Sequence, residues 1–268
     1  MQQKPICLKV LPDSCSWVLS MKSLILSLLA LSVLAGSATA VESAESAESA
    51  ESDTRWHVVL AAVGNEQQVF DSFVTDFAEK LKGSPHVASV TELHASVDER
   101  WQRSGLRELE ISLTALHPGA NEGCLIYLTG HGAPEGLAMS AETPTMFVRP
   151  TRMESMLNAC AKRPTVLVVS ACYSGVYLRP GITRPERIVM TASAADLTSF
   201  GCSNNNRYTF FDQCFLEAWP GQTQWGRLAD DVRDCVRETE RNKGFPASKP
   251  QFFFGVGLRE LPLPAPAS

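Results

Sequence analysis

Short apolar runs alternate along the chain with longer segments in which apolar residues recur every three or four positions. The runs are rich in branched aliphatic residues and end at glycine or small polar residues, as buried strands do. They lie at 56–63, 124–130, 165–171, 187–192 and 251–257, and the stretch 87–93 alternates in the manner of a further strand. The longer segments predict helices at 67–82, 98–116, 151–161 and 226–242, and another that begins near Tyr208. This alternation predicts an α/β fold with a mostly parallel sheet and helices on both faces.

Two of the predicted strands run directly into a reactive side chain. The run at 124–130 continues into His131 and Gly132, and the run at 165–171 continues into Cys172. A lone cysteine is usually a small buried apolar residue, but reactive groups collect where the carboxyl ends of parallel strands meet. The pair therefore predicts a thiol nucleophile and an imidazole base, with the N–H groups of Gly132 and Cys172 as an oxyanion hole.

Residues 128–132 and 170–175 resemble the His-Gly and Ala-Cys signatures of the caspase/legumain clan of cysteine peptidases. Within that clan the sequence is similar to the legumain-type family, peptidase family C13, and particularly to its shorter bacterial members. The resemblance covers residues 56–257. It implies a caspase-like, three-layer αβα fold and a peptide or protein substrate. It also implies that Cys172 forms an acyl-thioester while His131 carries the proton to the leaving amine.

The turn after the first strand carries two further candidates by the same resemblance. In legumain-like enzymes an asparagine of this turn is followed by Tyr-Arg-His, and the arginine helps to form the pocket for the substrate side chain. Asn65 matches the asparagine and is either an orienting residue of the catalytic pair or a simple helix-cap residue. Gln67 stands where the family has the arginine, and Ser170 replaces a glutamate often found two residues before the nucleophile.

The pocket for the substrate side chain has three more candidates. Ser199 and Phe200 belong to a stretch that resembles the strand lining this pocket, and Asp212 falls where the family places an aspartate at the pocket floor. Without the arginine and with the aspartate, such a pocket would be more acidic and would suit a basic or amide side chain. The alternative for Asp212 is an ordinary carboxylate at a helix N-terminus, which the helix dipole favours.

The first 40 residues have the layout of a secretory signal peptide. A basic start at Met21 and Lys22 precedes a short apolar run and an Ala-x-Ala end, so cleavage is expected after Ala40. Residues 41–54 are an acidic, low-complexity spacer, 55–258 are the peptidase domain, and 259–268 are expected to be a disordered tail. The protein is therefore expected to be exported to the periplasm or secreted, with no stable membrane span.

Charge and cysteine content narrow the function classes further. Loss of residues 1–40 removes three of the 24 basic and one of the 29 acidic residues, which leaves a net charge of −7 and argues against nucleic-acid binding. No Cys-x-x-Cys or Cys/His spacing indicates a metal site, and no cofactor is expected. Cys214 and Cys235 both fall in predicted helices and could pair. If Cys172 is free, at least one further cysteine of the mature chain is unpaired.

Three function classes remain open from the sequence. The first is an exported cysteine endopeptidase, and the second is a transpeptidase or ligase that passes the same acyl-enzyme to an amine. The third is a non-catalytic binding module on a protease fold. The presence of both motif residues and of their glycines argues against this third class. The natural substrate and the oligomeric state stay open.

Overall fold

The apolar runs form the strands of two sheets. A computed structural model describes residues 54–64, 68–96, 102–103, 105–139, 145–203 and 205–264. The predicted signal peptide, nearly all of the predicted spacer, Asn65 and Gln67 lie outside the described residues. The strands are β1 (Arg55–Val63), β2 (Val87–His94), β3 (Gln102–Arg103), β4 (Glu122–Gly130), β5 (Gly132–Ala133), β6 (Gly136–Met139), β7 (Met146–Val148), β8 (Thr165–Ser170), β9 (Arg187–Thr191) and β10 (Gln251–Phe254).

The main sheet has seven strands in the order β10-β9-β8-β4-β1-β2-β3. Neighbouring strands run parallel, except that β10 pairs with β9 in the antiparallel direction. The short strands β5, β6 and β7 form a separate antiparallel sheet. The helices are α1 (Gln68–Leu81), α2 (Leu106–Thr114), α3 (Pro150–Met156), α4 (Phe210–Ala218) and α5 (Trp225–Lys243). The mostly parallel sheet that the sequence predicts is confirmed.

Both faces of the main sheet are covered, so its central strands β1, β4, β8 and β9 are buried on both sides. Alternate residues of a strand point to opposite faces. In β1, Val58 and Leu60 pack with α1, α4 and α5, whereas Val59 and Ala61 pack with α2 and α3. The first core is rich in aromatic rings, and the second is mainly aliphatic. The three-layer αβα arrangement is therefore confirmed, and double burial explains why the strands read as continuous apolar runs.

The described residues contain two disulfide bonds, one within a helical layer and one between the sheet and the other helical layer. Cys214 of α4 is bonded to Cys235 of α5, the pairing that the sequence allowed. Cys124 of β4 is bonded to Cys160, which ends a 3-10 turn just after α3. The second bond could not be predicted, because Cys124 lies in a strand and only the folded chain brings it beside α3. Cys172 and Cys202 are free thiols, so the expected further unpaired cysteine is Cys202.

Two predictions about secondary structure and domain bounds were wrong. The predicted helix 98–116 begins only at Leu106, because Gly105 is extended and its carbonyl accepts the first helical hydrogen bond from Leu109. The predicted disordered tail is ordered as far as residue 264. There Leu263 is only 7% exposed, and the Leu261 carbonyl accepts a hydrogen bond from the N–H of Trp225, the first residue of α5. The prolines of this segment favour extended chain, which here caps a helix.

Candidate active site

The register of β4 and β8 brings the two predicted reactive residues to one level of the sheet. The strands are parallel neighbours in which Leu128 lies beside Val169 and Thr129 beside Ser170. Continuing each strand by two residues reaches His131 on one side and Cys172 on the other. The prediction that these strands lie side by side is confirmed, and both residues leave the sheet at its carboxyl edge.

A sharp turn follows Cys172 and leaves its thiol partly exposed at this edge. Tyr173 has a φ of 57°, a left-handed conformation that is unusual for a residue with a side chain. Its N–H donates to the Leu197 carbonyl at 2.8 Å, and a 3-10 turn then runs over Ser174–Tyr177. Such backbone conformations persist only where the surroundings hold them, and they cluster at functional sites.

Ser199 supplies the described contacts of the Cys172 thiol. The Ser199 N–H donates to Sγ at 3.3 Å, the Ser199 carbonyl lies 3.5 Å from Sγ, and the Ser199 hydroxyl lies 3.8 Å away. Ser199 and Phe200 are half-buried residues of an irregular segment rather than of a strand. The Ser199 backbone thus both donates to the sulfur and accepts from the thiol, which fixes the position of Sγ at the sheet edge. Structure therefore brings Ser199 and Cys172 together, across 27 residues of sequence.

Gly132 lies directly against the backbone of Cys172. A Cβ atom on Gly132 would overlap the Cys172 carbonyl oxygen, so no larger residue fits without a shift. Gly132 is paired with Leu137, and the flanking hydrogen bond runs from the Ala138 N–H to the His131 carbonyl at 2.8 Å. In this antiparallel pattern the N–H of Gly132 points away from the partner strand. Among the described residues, the N–H of Cys172 has no backbone acceptor either.

The imidazole of His131 is half-buried and contacts an aromatic ring. Phe70 of α1 meets it edge to face, with ring centroids 5.3 Å apart and an interplanar angle of 88°. Burial lowers the pKa of His131 from its ordinary value of 6.5. The imidazole is therefore neutral at pH 7 and has a nitrogen that can accept a proton.

A second polar cluster, the carboxylate centre, lies under the same edge of the sheet. It consists of Asp212, Tyr127, Thr129, Ser170 and Thr209. Tyr127 and Thr129 donate hydroxyl hydrogen bonds to the two carboxylate oxygens of Asp212 at 2.8 and 2.7 Å. The Asp212 N–H donates to the Thr209 hydroxyl, which caps α4. The buried Ser170 hydroxyl lies 3.3 Å from that of Thr209.

Asp212 itself is fully buried, with 0% of its surface exposed. Burial raises the pKa of its carboxyl group, although hydrogen bonds from Thr129, Ser170 and Tyr127 oppose this effect. Asp212 lies in the first turn of α4, as its alternative interpretation requires. The prediction that it forms the floor of a substrate pocket stays a prediction. A substrate side chain could reach Asp212 only if the surrounding hydroxyl-bearing residues moved.

Sequence reasoning missed the partners that satisfy this aspartate. Tyr127 and Thr129 were predicted only as residues of an apolar strand. A hydroxyl group in a strand buried on both faces needs a hydrogen-bond partner inside the protein, and two of them at alternate positions indicate one shared acceptor. That signal was present in the run at 124–130, but it does not say which distant carboxylate is the acceptor.

Comparison with known proteins agrees with this geometry. The model of the peptidase C13 family matches residues 105–248, a span that includes His131, Cys172 and Asp212. No curated protein matches the chain. A parallel α/β sheet with a cysteine and a histidine at its carboxyl edge is the architecture of a cysteine-type peptidase, a hydrolase that acts on peptide or protein substrates. Since the match covers more than half of the sequence, the chain belongs to the peptidase C13 family.

Proposed function

We propose that the protein is an exported cysteine endopeptidase in which Cys172 is the nucleophile and His131 the proton carrier. The observation that carries the proposal is the register of β4 and β8, which ends both strands at one level with these two residues. The neutral imidazole of His131 suits a group that must take up a proton and then release it. Ser199, whose N–H and carbonyl both contact Sγ, holds the sulfur in position.

The proposed reaction has two steps. In the first, the Cys172 sulfur attacks the carbonyl carbon of the scissile bond, and its proton passes to His131. The carbonyl oxygen becomes negatively charged and accepts hydrogen bonds from the N–H groups of Gly132 and Cys172. Collapse of this intermediate breaks the C–N bond, and His131 gives the proton to the leaving amine. An acyl-thioester on Cys172 remains.

In the second step a water molecule attacks the thioester. His131 accepts a proton from the water, the C–S bond breaks, and the proton returns to the Cys172 sulfur. The products are a peptide with a new carboxyl end and the free thiol. We propose that water, rather than an amine, accepts the acyl group. Added amines should therefore not be incorporated into the product during turnover.

Export is supported by the two disulfide bonds and by the signal-like pattern of residues 21–40. Disulfides form and persist in oxidising compartments. Among the described residues, no helix is both long enough and apolar enough to cross a membrane. Fractionation of cells that express the full chain tests this part. N-terminal sequencing of the product should begin at Val41, and an uncleaved cytosolic product would contradict it.

The catalytic proposal is tested with the mature chain, residues 41–268, and its Cys172→Ala, His131→Ala and Cys202→Ala variants. Cys202 is the matched control, because it is the other free thiol and burial raises its pKa. The parent and Cys202→Ala should cleave a peptide library and react with a peptidyl acyloxymethyl ketone. The other two variants should lose cleavage. Equal cleavage by the parent and Cys172→Ala would overturn the proposal.

A further inference from the structure

Three phenylalanine rings form a cluster close to the thiol. The cluster, here called the aromatic platform, consists of Phe200, Phe210 and Phe245. The centroid of the Phe245 ring lies 5.0 Å from that of Phe200 and 5.3 Å from that of Phe210. Phe210 is almost entirely buried, whereas 44% of the surface of Phe245 is exposed. The platform therefore has a buried base and an outer ring that is open to the solvent.

The platform begins one residue from the atoms that contact Cys172. Ser199 touches the sulfur through its N–H, carbonyl and hydroxyl groups, and Phe200 is the next residue. The Phe200 carbonyl accepts a hydrogen bond from the Phe210 N–H at 3.0 Å. Gly201 turns the chain between them with a φ of 97°, and a Cβ there would come within 2.6 Å of the Phe210 nitrogen. One short segment thus carries both the contacts to the thiol and the first ring of the platform.

The segment that carries Phe245 is held in place by a buried glutamate. Gly244 ends α5 in the left-handed conformation, and the Phe245 N–H donates to the Glu240 carbonyl at 2.8 Å. Both carboxylate oxygens of Glu240, a residue only 3% exposed, accept from the Ser248 N–H at 3.1 Å. The Ser248 carbonyl in turn accepts from the Ala194 N–H at 2.9 Å. The backbone that carries the exposed ring is therefore held in place before any ligand arrives, which lowers the entropy cost of binding.

A single exposed apolar residue is common on protein surfaces and needs no function. Phe245 differs because its backbone is held by hydrogen bonds and its ring contacts two other rings, one of them on the segment that contacts the nucleophile. The one charged group described on the platform, the ammonium of Lys243, lies 5.1 Å from the Phe210 ring centroid. The open side of Phe245 thus offers an apolar surface, with a positive charge nearby that disfavours basic side chains.

We propose that the aromatic platform is a substrate subsite that binds a large apolar side chain, aromatic or leucine-like, a few residues from the cleaved bond. This inference rests on the proposed function and adds a specificity element to it. Phe245 is the outer wall of the subsite, and Glu240 is the positioning residue that holds this wall. An extended peptide advances about 3.3 Å per residue, so the peptide position at which phenylalanine is preferred reports how far the platform lies from the scissile bond.

The test uses peptides that differ at one position at a time, before and after the cleaved bond, with either alanine or phenylalanine there. The measured quantity is the ratio of kcat/KM for the phenylalanine peptide to that for the alanine peptide. In the parent this ratio should be well above one at a single position. In Phe245→Ala it should fall about tenfold, as expected for the loss of an apolar contact. Phe245→Leu should keep part of the ratio, and Glu240→Gln should lower it through a higher KM.

Val256→Ala is the matched control, because Val256 is 90% exposed and apolar but does not belong to the platform. It should leave the ratio unchanged. If the parent cleaves peptides through Cys172 but Phe245→Ala keeps the full ratio, the subsite is refuted and the peptidase proposal stands. If the parent cleaves no peptide of the library and its Cys172 does not react with the acyloxymethyl ketone, the peptidase proposal fails and the subsite with it.

Discussion

Two polar centres lie at the ends of the same two strands and differ in how their polar atoms are satisfied. The thiol centre, made of His131, Gly132, Cys172 and Ser199, is partly exposed. Among the described residues the N–H of Cys172 has no backbone acceptor, and that of Gly132 points away from its partner strand. In the carboxylate centre both oxygens of Asp212 accept hydroxyl hydrogen bonds, and none of the residue is exposed. The first centre has hydrogen-bonding capacity left for a substrate, whereas the second uses its capacity within the fold.

The thiol centre thus serves the chemistry and the carboxylate centre serves the stability of the fold, although both lie at one edge of the sheet. Buried polar groups that are fully hydrogen-bonded make the fold specific and are costly to disturb, because each lost partner leaves another group unsatisfied. Groups at an active site are instead held ready for a partner that comes with the substrate. Changes in the thiol centre should therefore reduce activity more than stability, and changes in the carboxylate centre should reduce stability more than activity.

The largest effect is expected for Cys172→Ala. It should lower kcat/KM by at least about 10⁴-fold, because the covalent route is lost and only binding and the oxyanion hole remain. The midpoint of urea unfolding should hardly change, since the side chain is only half-buried. Peptide hydrolysis and urea titration measure the two quantities. A large drop in unfolding free energy would remove the contrast between the two centres.

For the carboxylate centre we expect Asp212→Ala to lower the free energy of unfolding by about 3 kcal/mol, because the Tyr127 and Thr129 hydroxyls lose their acceptor while buried. Asp234→Ala is the control, because Asp234 is an exposed residue of α5 that pairs with Arg237 at the surface. It should change the free energy by less than about 0.5 kcal/mol. Denaturant titration of both variants decides this, and equal stability of the two would contradict the structural role.

Asp212→Asn, if folded, also tests the predicted pocket floor. The amide keeps an acceptor for one hydroxyl but removes the charge. Because Asp212 is enclosed within the carboxylate centre, we expect the preference for the residue before the cleaved bond to stay the same. A changed preference, measured with the same peptide library, would place Asp212 in the substrate pocket and end the separation of the two centres.

Gly132→Ala should act on both quantities, more on activity than on stability. The added Cβ would overlap the Cys172 carbonyl oxygen, so the two N–H groups of the oxyanion hole must move apart. We expect kcat/KM to fall about 100-fold, the usual effect of losing one such donor. Gly221→Ala is the matched control, since nothing lies within 4 Å of its Cβ position. Similar kinetics for both variants would exclude Gly132 from the oxyanion hole.

The smallest effect concerns pH. Because burial lowers the pKa of His131, the acidic limb of kcat/KM should lie below pH 6.5, its ordinary value. Because of this shift, the folded protein takes up the proton on His131 at a lower pH than the unfolded chain does. The free energy of unfolding therefore falls as the pH drops below 6.5. Phe70→Leu admits water to the ring and should move the limb upward. Phe77→Leu, on the same helix but packed against Tyr127 and Trp219, should not move it.

Much of the thiol centre could be predicted from sequence because it depends on local pattern. Long apolar runs define β4 and β8, and parallel strands bring their ends together whatever lies between them. The contact between Ser199 and Cys172 depends instead on where an irregular segment passes, which no periodicity records. The resemblance to a family drew attention to Ser199, and the residues alone would not have done so.

The carboxylate centre shows the opposite case. Asp212 could be placed at a helix N-terminus, but its burial depends on Tyr127 and Thr129, more than 80 residues earlier in the chain. The ordered segment that ends at residue 264 escaped prediction for a similar reason, because its proline-rich composition is typical of disorder. Backbone hydrogen bonds to Trp225 and Thr223, at and just before the start of α5, hold Leu261 and Leu263. The pattern of apolar residues thus predicts strands and helices, whereas contacts between distant elements determine which polar groups and terminal segments are buried.

The central claim is that Cys172 carries the acyl group during turnover, and intact-mass analysis tests it most directly. The mature parent and its Cys202→Ala and Cys172→Ala variants would be mixed with a slowly hydrolysed peptide ester and quenched in acid within the first turnover. The parent and Cys202→Ala should gain the mass of the acyl group, and peptide mapping should locate it on Cys172. An adduct on Cys202, or an adduct that survives in Cys172→Ala, would contradict the claim.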